Sequence, residues 1–197
     1  MKVNGRAHER DDDPALALRA AVLKMKAPQA AKRSPAPTSS VYGRAAAAVP
    51  QDVKPPAERS ALRARFRNLE TTALVSGTTM VLVVLPDAGP VPPDLLRSLE
   101  LLKASQATVM VLGADVPRSV DRASILSIPM RADDDLHQEW ALLALGPRKR
   151  MAFLARKGAD DRWNWLVTTD AVAVHRAGTA ILERVPFLRL RVPVLDS

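Results

Sequence analysis

Two apolar runs of strand length, "TTMVLVVLP" (78–86) and "ATVMVLGAD" (107–115), enclose an amphipathic stretch, "VPPDLLRSLELLKASQ" (91–106). This arrangement limits the possible folds more than any other feature of the chain. Both runs are continuous and rich in β-branched residues, which fits strands buried on both faces rather than half-exposed ones. Between them, Leu95, Leu99 and Leu102 fall on one helical face, and Pro92 and Pro93 mark the helix start. Strand, helix and strand over so short a span predict a βαβ unit with two parallel strands.

The flanking segments extend the pattern. Upstream, a short helix is expected from Ser40 to Val49 and a longer one from about Pro56 to Val75, with "PQDVKPP" breaking the chain between them. Leu62, Phe66, Leu69 and Ala73 form the inner stripe of the longer helix, and Gly77 lies just past its end. Downstream, "SILSIPM" reads as a short strand. "HQEWALLAL" and "RMAFLARKG" are apolar runs joined by the turn-rich "GPRK", so they predict an antiparallel hairpin. "RWNWLVTT" adds a third strand with Trp163 and Trp165 on one face, and Asp170 caps a last helix from Ala171 to Val185. The expected fold class is therefore α/β: a βαβ unit followed by an antiparallel meander in one mixed sheet, with flanking helices.

Residues 1–38 read differently. They carry eight basic and four acidic residues, and the remaining 159 carry 21 and 17, so the net charge of +8 is densest in the first fifth of the chain. Pro28, Pro35 and Pro37 sit among Ala and Ser. The segment is expected to be a basic, largely disordered extension or linker, with a nucleic-acid-binding or membrane-touching tail as the alternative, ahead of one folded domain over 39–197. No long apolar run is present and the N-terminus has charges where a signal peptide needs its apolar stretch, so a cytoplasmic protein is expected, with no membrane contact.

Several chemistries find little support. The chain has no cysteine, which excludes disulfides, thiolate zinc sites, iron–sulfur clusters and cysteine nucleophiles. His137 and Glu139 share a face if they lie on a strand, but they supply only two ligands, and the oxygens of Asp133 to Asp135 lie on an acidic turn. Their H-x-E spacing is also found in nucleobase deaminases, whose zinc site needs a P-C-x-x-C that this chain lacks. There is no Gly-x-Ser-x-Gly elbow and no glycine-rich phosphate loop, and local spacing places neither His8 nor His175 near His137. The expectation is a protein that is not an enzyme, with no metal and no cofactor.

The three tryptophans, Trp140, Trp163 and Trp165, all fall in the hairpin region. Indole rings fill cores and also line small-molecule sites. Glu139 beside Trp140, and Asn164 between the other two, place polar groups there, which favours a ligand-sensing wall over core packing alone. Arg59, Arg63 and Arg67 recur every four residues opposite the apolar stripe of the long helix, as a solvated face or a phosphate-binding row.

Taken in order, "SSVYGRAAAAVP", "RNLE", "DDLHQEWALLAL", "RMAFLARK" and "DRWNWLVTTDAVAVHRAGTAIL" resemble the DICT sensory domain, found in diguanylate cyclases and two-component proteins. Leu136-x-x-Glu139-Trp140 ahead of a tryptophan-bearing strand that leads into the last helix at Asp170 is the most characteristic part. The resemblance implies a regulatory domain that binds a small ligand or a protein partner, with no catalytic residues. It makes Glu139, Trp140 and Trp163 candidates for a sensing site, joined by Trp165 as the neighbour of Trp163, and Glu70 a candidate for a structural or signalling contact. Arg63 and Arg67 join Glu70 as candidates for partner contact. No GGDEF, histidine-kinase or helix-turn-helix segment accompanies these motifs, so output is expected through a signalling partner, through self-association or through the basic tail. The alternative function is nucleic-acid association through the basic extension and the arginine row.

Overall fold

The computed structural model describes residues 40–86, 92–113, 125–130, 133–147 and 149–185. The expectation for residues 1–38 lies outside this range. Within it, a single mixed sheet carries helices on both faces, the α/β class expected from the sequence.

The described residues open with α1 (Val41–Ala46), capped by the Ser40 hydroxyl, which accepts from the Gly43 N–H at 2.7 Å. A 3-10 turn, Pro50–Asp52, leads into β1 (Val53–Ala57). The segment read as a chain break is thus an edge strand. Pro55 and Pro56 mislead in sequence because they cannot donate to a ladder, yet an outermost strand with one free side tolerates them. Because β1 takes up the residues through Ala57, α2 (Arg59–Val75) begins three residues after the expected Pro56. It ends at Val75 with Ser76 as C-cap, and Gly77 follows with a φ of 65°, open to glycine at little cost.

β2 (Met80–Val84), α3 (Pro93–Ala104) and β3 (Thr108–Gly113) form the βαβ unit, with Met80 opposite Thr108 and Val84 opposite Leu112 in parallel register. β4 (Leu126–Pro129) joins β3 in parallel at the far edge. After a 3-10 turn, Asp135–Gln138, the meander runs through β5 (Glu139–Leu145), β6 (Arg150–Lys157) and β7 (Trp163–Thr168). α4 (Ala171–Leu182) is the last element among the described residues, with Asp170 accepting from Ala173 N–H at 2.8 Å. It stops three residues before the expected Val185, which is still buried.

The strand order is β1-β7-β6-β5-β2-β3-β4, so β5 is central, pairing antiparallel with both β6 and β2. All seven residues of β5 are buried, which accounts for its lack of polar alternation. Side chains alternate between two cores. One holds Leu82, Val84, Ala141, Leu143 and Leu154 beneath α1 and α4. The other holds Val81, Val83, Leu142 and Phe153 beneath α2 and α3. The two-residue step of the strands therefore decides which helix layer each candidate residue meets.

Candidate functional site

Glu139 and Trp140 open β5 where β2 ends, with Ala141 opposite Val84. Being consecutive on a strand, they project to opposite faces. The expectation that Glu139 adds polarity to the tryptophan wall is therefore corrected: the carboxylate lies beneath α1, and the indole lies beneath α2.

On the α2 side the rings form a closed cluster. Phe66 stacks on Trp140 with centroids 4.9 Å apart, and Phe153 meets both edge-on at 5.6 and 5.4 Å. Trp163 meets Trp140 edge-on at 6.4 Å. Trp140 and Trp163 are only 8% and 4% exposed. Trp165 shares their face but is half-buried, and its Nε1–H donates to the Pro55 carbonyl on β1 at 3.0 Å. The Arg59 guanidinium lies 5.9 Å from the centroids of both Trp140 and Trp163, and that of Arg65 lies 6.0 Å from Trp165. Arg59, expected in a solvated row, thus roofs the aromatic cluster through cation–π contact. Arg65 was not singled out in the sequence because its register is two residues off the row.

On the α1 side, Glu139 is 1% exposed. Its Oε2 accepts from the Tyr42 N–H at 3.0 Å, and the Ser40 hydroxyl also bonds it, whereas its buried Oε1 has no hydrogen-bond partner. Burial raises its pKa above the ordinary carboxylate value; the bonds from Ser40 and Tyr42 and the charges of Arg156 and Arg184 oppose that rise. Next to it, Arg184 Nε reaches Asp134 Oδ1 at 3.1 Å and Oδ2 at 3.2 Å, with side-chain exposures of only 4% and 6%. Arg184 also donates to the Ala180 carbonyl at 2.6 Å, and Asp134 caps the 3-10 turn by accepting from Leu136 N–H. Glu139, Asp134 and Arg184 thus join the starts of α1 and β5 to the end of α4. Arg44 and Glu183 add an exposed bridge between α1 and α4 at 2.8 Å.

Sequence reasoning missed Ser40, Tyr42, Asp134 and Arg184. Asp134 and Ser40 had a legible signal, since each is a capping residue before a short turn or helix. Arg184 had none, because its partner is 50 residues away. His137 lies in the 3-10 turn and not on a strand, so the expected shared face with Glu139 does not arise. Among the described residues no three His, Asp or Glu side chains converge to hold a metal ion.

Glu70 stands apart from both groups, buried at 5% exposure on α2, and its Oε1 has no hydrogen-bond partner. Desolvation, reinforced by Asp94 and opposed by Arg67, pushes its pKa up to about 7. Arg67 itself bridges to Asp94 at the start of α3 at 2.5 Å. Arg63 is exposed on α2. Of the expected residues, Trp140, Trp163 and Trp165 are therefore brought together; Glu139 is across the sheet, and Glu70 and Arg67 meet at the α2–α3 contact.

Glu70 has a testable pH signature. Its folded pKa near 7 exceeds the ordinary value of 4.5, so the folded state holds the proton more tightly. The associated stability is present at acid pH and is lost as pH rises through 7. Glu70→Gln should abolish that part of the pH dependence and stabilise the protein at pH 8 by about 1–2 kcal/mol. Urea denaturation at several pH values checks it; parallel pH profiles for both proteins would refute the assignment.

A shallow polar hollow of about 160 Å³ lies at the β6–β7 turn, lined by Pro56, Gly158, Ala159, Asp160, Arg162 and Asn164. It is built from none of the residues singled out in the sequence except Asn164. In comparisons with protein-family models and with curated proteins, the chain matches neither a family model nor a curated sequence.

Proposed function

We propose that this chain is a non-enzymatic sensory or regulatory domain of bacterial signal transduction, of the DICT type, which binds a small ligand or a protein partner in the cytoplasm. The observation that supports it best is Glu139. A buried carboxylate is costly unless its oxygens are satisfied, and one of these oxygens is not. Its other oxygen holds the first turn of α1, and the charge of Arg184 ties it to the end of α4. Its chain neighbour, Trp140, is packed under α2. A donor group reaching Oε1, or a change in its protonation, would therefore act on both helix layers through two consecutive residues of β5. That is the coupling between a site and a movable element that regulation requires. Among the described residues no helix is long and apolar enough to cross a membrane.

Mass spectrometry of small molecules extracted from the purified protein tests it. A compound enriched with the wild-type chain should be depleted from Glu139→Gln, a change that keeps the shape and the Tyr42 bond but removes the charge. Adding that compound to the wild-type protein should also alter the Trp140 fluorescence. Identical extracts from the two proteins, with unchanged fluorescence, would remove Glu139 as the sensing group.

A further inference from the structure

The charge on α2 runs against the helix. Arg59, Arg63, Arg65 and Arg67 all lie in its first nine residues, its first turn has no acidic residue and its last turn no basic one. A helix N-terminus already carries partial positive charge, and like charges four residues apart repel, so this distribution destabilises α2 on its own. Glu58, the N-cap, makes no side-chain capping bond, and Glu70, the only acidic residue within α2, is buried. A local arrangement that opposes stability points to a role outside the fold.

Three of the four guanidiniums are nonetheless held in place. Arg59 and Arg65 lie over indole rings, which fix them while leaving both residues exposed. Arg67 is 66% exposed in its bridge to Asp94, and such surface bridges contribute little, so phosphate can compete for it. Arg59, Arg63 and Arg67 are one helical turn apart, a rise of about 6 Å each. The structure thus presents an evenly spaced row of exposed arginines, two of them positioned by contacts within the fold, and guanidiniums are well suited to phosphate oxygens.

From this we infer that the N-terminal half of α2 is a docking surface for the phosphate backbone of a nucleic acid. A long polyanion fits better than a short acidic peptide because the positive charge is not confined to one helix: the chain carries +8 overall, and eight further basic residues fall within residues 1–38. The surface is distinct from the Glu139 side of the sheet, so it stands or falls independently of the sensory reading.

The test uses the full chain, fluorescein-labelled duplex DNA and fluorescence anisotropy across a salt series. The double variant Arg63→Gln with Arg65→Gln spares Arg59 and Arg67 and should fold, which circular dichroism confirms. It is expected to weaken binding between tenfold and a hundredfold at roughly 0.1 M salt, and to reduce the slope of log K against log salt by about 2. Lys24→Gln with Lys26→Gln, outside the described residues, provides the comparison. A slope unchanged in the α2 variant and reduced only in the Lys24/Lys26 variant would overturn the proposal, as would no binding at low salt. Equal competition by polyglutamate would replace the nucleic acid with an acidic protein partner.

Discussion

Trp140→Ala is expected to destabilise the domain by about 3–5 kcal/mol, the usual cost of truncating a buried large aromatic. The ring is enclosed: Phe66 stacks on it, Phe153 and Trp163 meet it edge-on, and Arg59 covers it. Removing it opens a hole in the middle of the sheet that rigid strands on either side cannot close, and Phe66 and Phe153 lose a common partner. Trp163→Ala should behave similarly. Trp165→Ala should cost only about 1 kcal/mol, since the ring is half-buried and its loss chiefly removes the bond to Pro55 and the contact with Arg65. A domain of this kind has about 5–15 kcal/mol of stability in total, so the first two variants should be visibly less stable in urea denaturation. Equal effects at all three positions would contradict the packing described for Trp165. A silent Trp140→Ala would mean that the ring cluster is not part of the core.

Asp134→Ala is the second large effect, expected to cost about 3–5 kcal/mol. The reason is the group left behind. Arg184 is buried with Asp134, and removing the carboxylate deprives the guanidinium of the charge it is bridged to, while its bond to the Ala180 carbonyl and its attraction to Glu139 remain. Loss of the cap on Leu136 N–H adds to the damage and loosens the turn that feeds β5. Arg184→Met should cost less, because a carboxylate beside a turn can be rehydrated or protonated more easily than a guanidinium can lose its charge. The double variant Asp134→Ala with Arg184→Met should be more stable than additivity allows. A thermal or urea-based double-mutant cycle with no coupling between the two positions would show that the bridge is not formed in solution.

How far the sequence could be read depended on how local each feature was. The βαβ unit, the hairpin and the last helix follow from strand-length apolar runs, helical stripes and caps, all set by residues within a few positions of one another. β1 was hidden because its composition belongs to a turn, and it exists only because β7 offers a ladder more than 100 residues away, with Lys54 opposite Trp165. The candidate site divides in the same way. The chemical character of Glu139, Trp140, Trp163 and Trp165 was legible, and so was the shared face of the last two. The split between Glu139 and Trp140 was present in the two-residue strand period, but its meaning required knowing that both faces of β5 are covered by helices.

By itself, then, the sequence determined the α/β class, the order of the main elements and the apolar face of each helix, because periodicity and capping are local consequences of backbone geometry. Only the tertiary structure decided that β5 lies at the centre of the sheet and that Arg59 covers two indoles. It also decided that Arg184 closes on Asp134 and Glu139, and that Glu70 is buried close to Asp94. These are contacts between elements far apart in the chain. Charge, burial and pKa at such places depend on what packs against a residue, and no local pattern encodes that.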